Sequence, residues 1–229
     1  MSSDDHMQPL FNALPPAVAA LALALFAVEV VLWLASEGVI GGPSGVAWRR
    51  DAALQFGFPG TMLEYFDQSG TWLTAETRRF VTYPFIHFGF VHAMFVIVFL
   101  LALGKLVGEV FGNLSVLIVF FGCAIVGALA YSLITGDPRP LVGGYPSVYG
   151  LIGAYTFILW THYGAAGENQ YRAFMLIGFL LGIQLVFGLL FGSGNDWIAE
   201  IAGFVFGFLV SPALARGGFR RMLSRLRQR

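Results

Sequence analysis

Gly143-Gly144-Tyr145-Pro146-Ser147-Val148-Tyr149-Gly150-Leu151-Ile152-Gly153-Ala154 is the stretch on which the fold turns. Small residues crowd it, and small residues mark the places where two helices can bring their backbones close together. A partner stretch stands near the C-terminus: Glu200-Ile201-Ala202-Gly203-Phe204-Val205-Phe206-Gly207, a small-xxx-small pair at Gly203 and Gly207. Close packing of the two stretches would bring together the polar residues at their starts, Tyr145 and Glu200.

Both stretches lie inside apolar runs of the length of a membrane-crossing helix. Six such runs are read: Pro15 to Ala35, Phe80 to Leu103, Leu114 to Ile134, Leu141 to Thr161, Ala173 to Phe191 and Trp197 to Leu214. None shows the alternation of a barrel strand, and in lipid a helix is the structure that satisfies its own backbone. The expected fold class is all-α: a polytopic bundle of six transmembrane helices.

Composition agrees. Hydrophobic residues make up 57% of the 229 positions and charged residues only 11%, against about 25% charged in a soluble domain. That is too little charge to coat a water-facing surface, which excludes a soluble globular protein, a disordered chain and a nucleic-acid binder. Cys123 is the single cysteine, so an intramolecular disulfide is excluded. The start, Met1-Ser2-Ser3-Asp4-Asp5, is acidic and lacks the basic region of a cleaved signal peptide, so the first run is expected to stay as an anchor.

The expected organisation is an N-terminal tail over 1–14, a membrane domain over 15–214 and a basic tail over 215–229. A long loop over 36–79, rich in aromatics, is expected to lie in the interfacial zone or to pack on its own bundle, two compatible readings. Lys105, Arg172 and the tail arginines Arg216, Arg220, Arg221, Arg225, Arg227 and Arg229 fall on one side of the membrane. Arg49, Arg50, Arg78, Arg79 and Arg139 fall on the other. The excess puts both termini in the cytoplasm, and the expected location is a bacterial inner membrane. Phe219, Met222, Leu223 and Leu226 recur at helical spacing, so the tail reads as an amphipathic helix on anionic lipid or as a frayed tail that only sets topology.

Charged groups inside a membrane are costly and are functional candidates by default. Glu29 lies in the first run, His87 and His92 in the second, and Glu200 in the sixth. Glu29 reads as a hydrogen-bonded structural group rather than a catalyst, and His162 as an interface marker. On one helix, five residues separate His87 from His92 by about 500°, so they would not share a face. No metal-ligand spacing and no phosphate loop is found, so neither metal nor cofactor is expected.

With these residues in view the chain resembles the rhomboid family of intramembrane serine proteases. Arg79-Phe80-Val81-Thr82-Tyr83-Pro84-Phe85-Ile86-His87, followed by His92, resembles the family pattern R-x-x-T-x-x-F-x-H and its second histidine. The stretch from Gly143 to Ala154 resembles G-A-S-G-x-x-F-G-L-x-G-A, and that from Glu200 to Gly207 resembles H-x-x-G-x-x-x-G. The resemblance implies a Ser–His dyad, with a backbone amide, an Asn and a His stabilising the oxyanion. At the implied positions stand Tyr145 for the serine, Glu200 for the histidine and Val96 for the asparagine. Pro146, which has no backbone N–H, follows Tyr145, and His92 alone is retained.

Ser147 lies two residues past the serine position, about 200° around a helix, and is expected to point away from the sixth span. Tyr145 and Glu200 are expected either to share a hydrogen bond that ties two helices or to have drifted in a site free of catalytic demand. The resulting expectation is a rhomboid-like protein that binds transmembrane helices of clients without cleaving them, admitting them between the second and fifth spans. Alternatives are an intramembrane peptidase with unconventional residues, or a structural or transport-like subunit in which Glu29, Glu200, His87 and His92 relay protons.

Overall fold

The structure, a computed structural model, describes residues 13–191 and 194–215. The basic tail beyond residue 215 and the first twelve residues of the N-terminal tail lie outside the described residues. Helix α1 (Pro16–Ser36) is followed by the long loop, which holds α2 (Trp48–Phe56), α3 (Met62–Ser69) and the single turn α4 (Arg79–Thr82). Then come α5 (Phe90–Phe111), α6 (Asn113–Thr135), α7 (Tyr145–Ala165), α8 (Met175–Phe191) and α9 (Trp197–Leu214). Helices α1, α5, α6 and α9 are long and apolar enough to cross a membrane, with mean hydropathy between 1.7 and 2.5. The protein is thus a mostly helical membrane bundle.

Helix α7 is the centre. It packs along α9 and also meets α6 and α5. A Cβ at Gly203 would strike the Pro146 carbonyl, one at Gly207 the Gly150 backbone, and one at Gly153 the Phe204 carbonyl. A Cβ at Gly150 would strike the Cys123 sulfur on α6. Only the absence of side chains at these four positions lets α6, α7 and α9 approach so closely. Gly178 and Gly182 on α8 differ, since a Cβ there would meet nothing within 4 Å. Ile177 is buried against the core, while Met175, Phe179 and Ile183 stay exposed.

The long loop packs on its own bundle. Phe58, Phe66, Phe80 and Tyr83 are buried with Ala124, Ala128 and Tyr131 of α6, and Phe66 stacks on Trp72 at 4.8 Å. Ser132 on α6 donates to the Gly60 carbonyl at 2.5 Å and accepts from the Leu63 N–H at 3.1 Å. A two-residue antiparallel pairing of β1 (Phe58–Pro59) with β2 (Pro140–Leu141) joins this loop to the entry of α7.

The second span differs from the expected Phe80 to Leu103. Its helix, α5, begins at Phe90 and runs to Phe111. Pro84 lacks the N–H that would continue a helix, so the chain tightens into a 3₁₀ turn over Tyr83–Phe85 and leaves it extended at Ile86. The Tyr83 carbonyl accepts from the Ile86 N–H at 3.2 Å within that turn and also from the Gly143 N–H at 3.0 Å, and the Tyr83 hydroxyl donates to the Ala124 carbonyl at 2.8 Å. The fourth span is also shorter at its start: Leu141 belongs to β2, and α7 begins at Tyr145.

Candidate functional site

Three elements meet where α7 starts. Gly143 takes φ +99°, a left-handed conformation that favours glycine. A Cβ there would also meet His92 Cε1 at 2.8 Å. This turn presents Gly144 to the segment before α5, and its N–H donates to His87 Nε2 at 3.4 Å. Tyr145 and Pro146 follow at the helix start. From α9 the first turn contributes Glu200, with Asp196 one turn before it at the helix cap.

A cavity of about 170 Å³ opens between them, lined by Phe88, His92, Tyr145, Pro146, Asp196 and Glu200 together with Leu141 and Val142. Tyr145 and Glu200 therefore share one cavity, as the glycine pattern implies. They share no hydrogen bond among the described residues, so of the two expectations for this pair the hydrogen-bonded tie is not formed. Glu200, 7% exposed, instead accepts from Gln184 Nε2 of α8, and the Tyr145 ring stacks on His92 with centroids 5.0 Å apart. A carboxylate accepts readily from a neutral amide, and a phenol ring gains by offset stacking on an imidazole.

The histidines need a second correction. His87 precedes α5, so the angular argument for a shared helix does not apply. Its ring lies edge-on to His92 with centroids 5.3 Å apart. His92 Nδ1 accepts from the Phe88 N–H at 3.3 Å, while buried His87 Nδ1 has no partner among the described residues. Among the described residues no group of three or more His, Cys, Asp or Glu side chains could hold a metal ion.

Ser147 lies where its angle on the helix implies. It is fully buried, and its Oγ donates to the Phe120 carbonyl of α6 at 2.7 Å, away from α9. Val96 is fully buried too, with its Cγ1 2.7 Å from where a Gly144 Cβ would stand. An apolar side chain thus covers Gly144.

Glu29 is structural in a specific way. It is 0% exposed, and Arg49 of α2 reaches it with two bonds, at 2.8 and 3.1 Å. The same guanidinium donates to the His87 carbonyl at 2.8 Å. Arg49 thus joins α1 to the segment carrying His87.

Sequence reasoning missed Asp196, Gln184 and Arg49. Asp196 stands four residues before Glu200, and that spacing on one helix could have revealed it. Gln184 is the polar residue of an otherwise apolar run and carried a weaker signal. Outside the spans, Arg139 donates to Asp137 at 2.6 to 3.1 Å and holds its carboxyl down at about 2. Asn195 also donates to Asp137, at 3.3 Å. Burial pushes Asp196 up and Asp137 adds to the shift, while Arg139 opposes it.

The cavity can hold a polar group by hydrogen bonds to a phenol, an imidazole and two carboxyl groups. Beyond this geometry, residues 74–217 match the family model described as Rhomboid domain. No curated protein matches the chain. The matched segment is more than half of the sequence and contains the His87–His92 segment, the start of α7 and all of α9. The chain belongs to the rhomboid family.

Proposed function

We propose that this rhomboid-family membrane protein binds transmembrane helices of client proteins and does not cleave them. The observation that supports the reading is the lining of the cavity. Tyr145 and Glu200 stand where the family pattern has its serine and histidine, and Ser147 spends its hydroxyl on Phe120. A serine mechanism needs a hydroxyl within reach of a base and donors aimed at the oxyanion. Pro146 has no N–H to aim, and Val96 is apolar. Losing one oxyanion donor alone costs about 10²–10³ in rate.

In this reading the bundle has six crossings, α7 and α8 completing the set. The 17 residues of α8 reach about 26 Å, close to a hydrocarbon core of about 30 Å. Both termini are cytoplasmic, the membrane is a bacterial inner membrane, and the basic tail lies on anionic lipid. Clients enter between α5 and α8. The open surroundings of Gly178 and Gly182 favour a loosely packed α8, and Gln184 tethers it to Glu200.

The test places photo-reactive residues at exposed Phe95 on α5 and Phe179 on α8 in native membranes, then identifies what they capture. Single-span proteins captured at both positions, with neither cleavage of helical substrates nor fluorophosphonate labelling, are expected. Labelling of Ser147 together with substrate cleavage would establish an unconventional peptidase instead. Stable capture of one multisubunit complex would favour a structural role.

A further inference from the structure

A groove of about 520 Å³ lies away from the polar cavity, between the second half of α1 and the long loop. Its walls are apolar: Val28, Val31 and Leu32 of α1, Ala52 and Phe56 of α2, and Phe85. Thr82 borders it, but its hydroxyl already donates to the Phe56 carbonyl at 3.0 Å. The volume falls within the range of about 300–1,000 Å³ typical of ligand sites. Because α1 is a membrane-crossing helix by length and hydropathy, a groove along it meets acyl chains rather than water. A helix with its side chains is about 10–12 Å across, so a volume of about 520 Å³ holds little more than one of its turns, whereas one hydrocarbon chain fits.

A charge lies against one wall. The Arg78 guanidinium carbon lies 5.4 Å from the centroid of the Phe56 ring that walls the groove. Arg79, its neighbour in sequence, is committed to Glu76, and Arg49 of α2 to Glu29. Arg78 is exposed and enters no ion pair among the described residues. An apolar slot with an exposed guanidinium against the Phe56 ring of its wall matches a phospholipid, chain inside and phosphate outside.

We propose that this groove binds one phospholipid, an acyl chain lying along α1 and its phosphate resting on Arg78. The lipid fills the gap between α1 and the loop and holds α2 against the bundle.

The test uses the full chain in nanodiscs of phosphatidylglycerol and phosphatidylcholine. They contain a small fraction of phospholipid with a diazirine on its acyl chain, and crosslinked peptides are mapped by mass spectrometry. Labelling is expected on residues 27–32 and 85–86, several-fold above the exposed Val98 on α5 and Val205 on α9. Val31→Trp, which fills the groove, should lower it to that background. Arg78→Gln should lower it several-fold, with Arg78→Lys retaining most of it. A diazirine-tagged alkyl glycoside of the same chain length, which lacks phosphate, should label several-fold less. Uniform labelling of all lipid-facing surfaces, or groove labelling indifferent to Val31→Trp, overturns the site. Equal labelling by the glycoside, or indifference to Arg78→Gln, overturns the phosphate contact.

Discussion

Tyr145 lies flat against His92, ring centroids 5.0 Å apart and planes 21° apart, although α7 and α5 supply one each. In the family pattern these positions belong to the nucleophile and an oxyanion donor. Here they are a packed pair. The phenol has no hydrogen-bond partner among the described residues, so the ring and not the hydroxyl carries the contact. Tyr145→Phe should shift unfolding by less than about 0.5 kcal/mol, whereas Tyr145→Ala should cost about 1–3 kcal/mol through lost stacking and burial. Thermal unfolding in detergent reads both. Equal damage from the two substitutions would mean the hydroxyl has a partner.

The Glu29–Arg49 pair carries the second prediction. Glu29 is wholly buried, so removing its cation leaves a charge in apolar surroundings. Arg49→Leu is expected to cost about 3–5 kcal/mol, and the double change Glu29→Leu with Arg49→Leu distinctly less. Unfolding of the three variants forms a double-mutant cycle, and simple additivity would contradict the pairing.

Glycines on α9 and α8 should respond oppositely. Gly207→Ala forces a methyl into the Gly150 backbone and should destabilise by about 1–3 kcal/mol. Gly178→Ala finds open space on a helix and should be neutral or stabilise by up to about 1 kcal/mol. Parallel melting curves test the contrast.

Helix α8 is tied to α9 through Gln184 and Glu200. Gln184→Leu should raise amide exchange over Met175–Phe191 while leaving α6 unchanged, since α6 is held by the glycine contacts instead. Exchange that stays the same in α8 would show the bond does not restrain it.

Asp137 adds a pH dependence outside the membrane. Arg139 holds its carboxyl at about 2, below its unfolded value of about 3.9. A carboxyl depressed in the folded state contributes stability fully above the unfolded value and loses it as pH falls through about 2. The difference in melting temperature between the wild type and Asp137→Asn should therefore be constant from pH 7 to 5 and shrink below pH 4. A difference unchanged at pH 3 would remove the assignment.

Much of this was legible in the residues. The α9 run from Trp197 to Leu214 is read to the residue because an apolar stretch bounded by Asn195-Asp196 and Arg216 has sharp ends. The glycine frame foretells that Tyr145 and Glu200 meet, since close helix approach demands small residues on both partners. The start of the second span was not legible. Phe80 to Phe111 is almost continuously apolar, and periodicity cannot reveal that Gly143 captures the Tyr83 carbonyl and that the chain leaves the helix before His87. The partners of the buried acids were hidden for the same reason, as Arg49 is far from Glu29 in sequence and Gln184 sits in an unremarkable apolar run.

Composition and spacing by themselves determined a helical membrane bundle and the close packing of the helix at Gly143–Ala154 on the helix at Glu200–Gly207; that Tyr145 and Glu200 stand at the positions of a Ser–His pair is what the family resemblance implies. These depend on residue type and local period, which a linear sequence carries in full. Tertiary structure alone decided which groups those residues bond. Tyr145 stacks on His92, Glu200 accepts from Gln184, Arg49 neutralises Glu29 and Ser147 turns to Phe120. A side chain's partner is whichever group long-range packing brings within about 3 Å, and no local pattern encodes that distance.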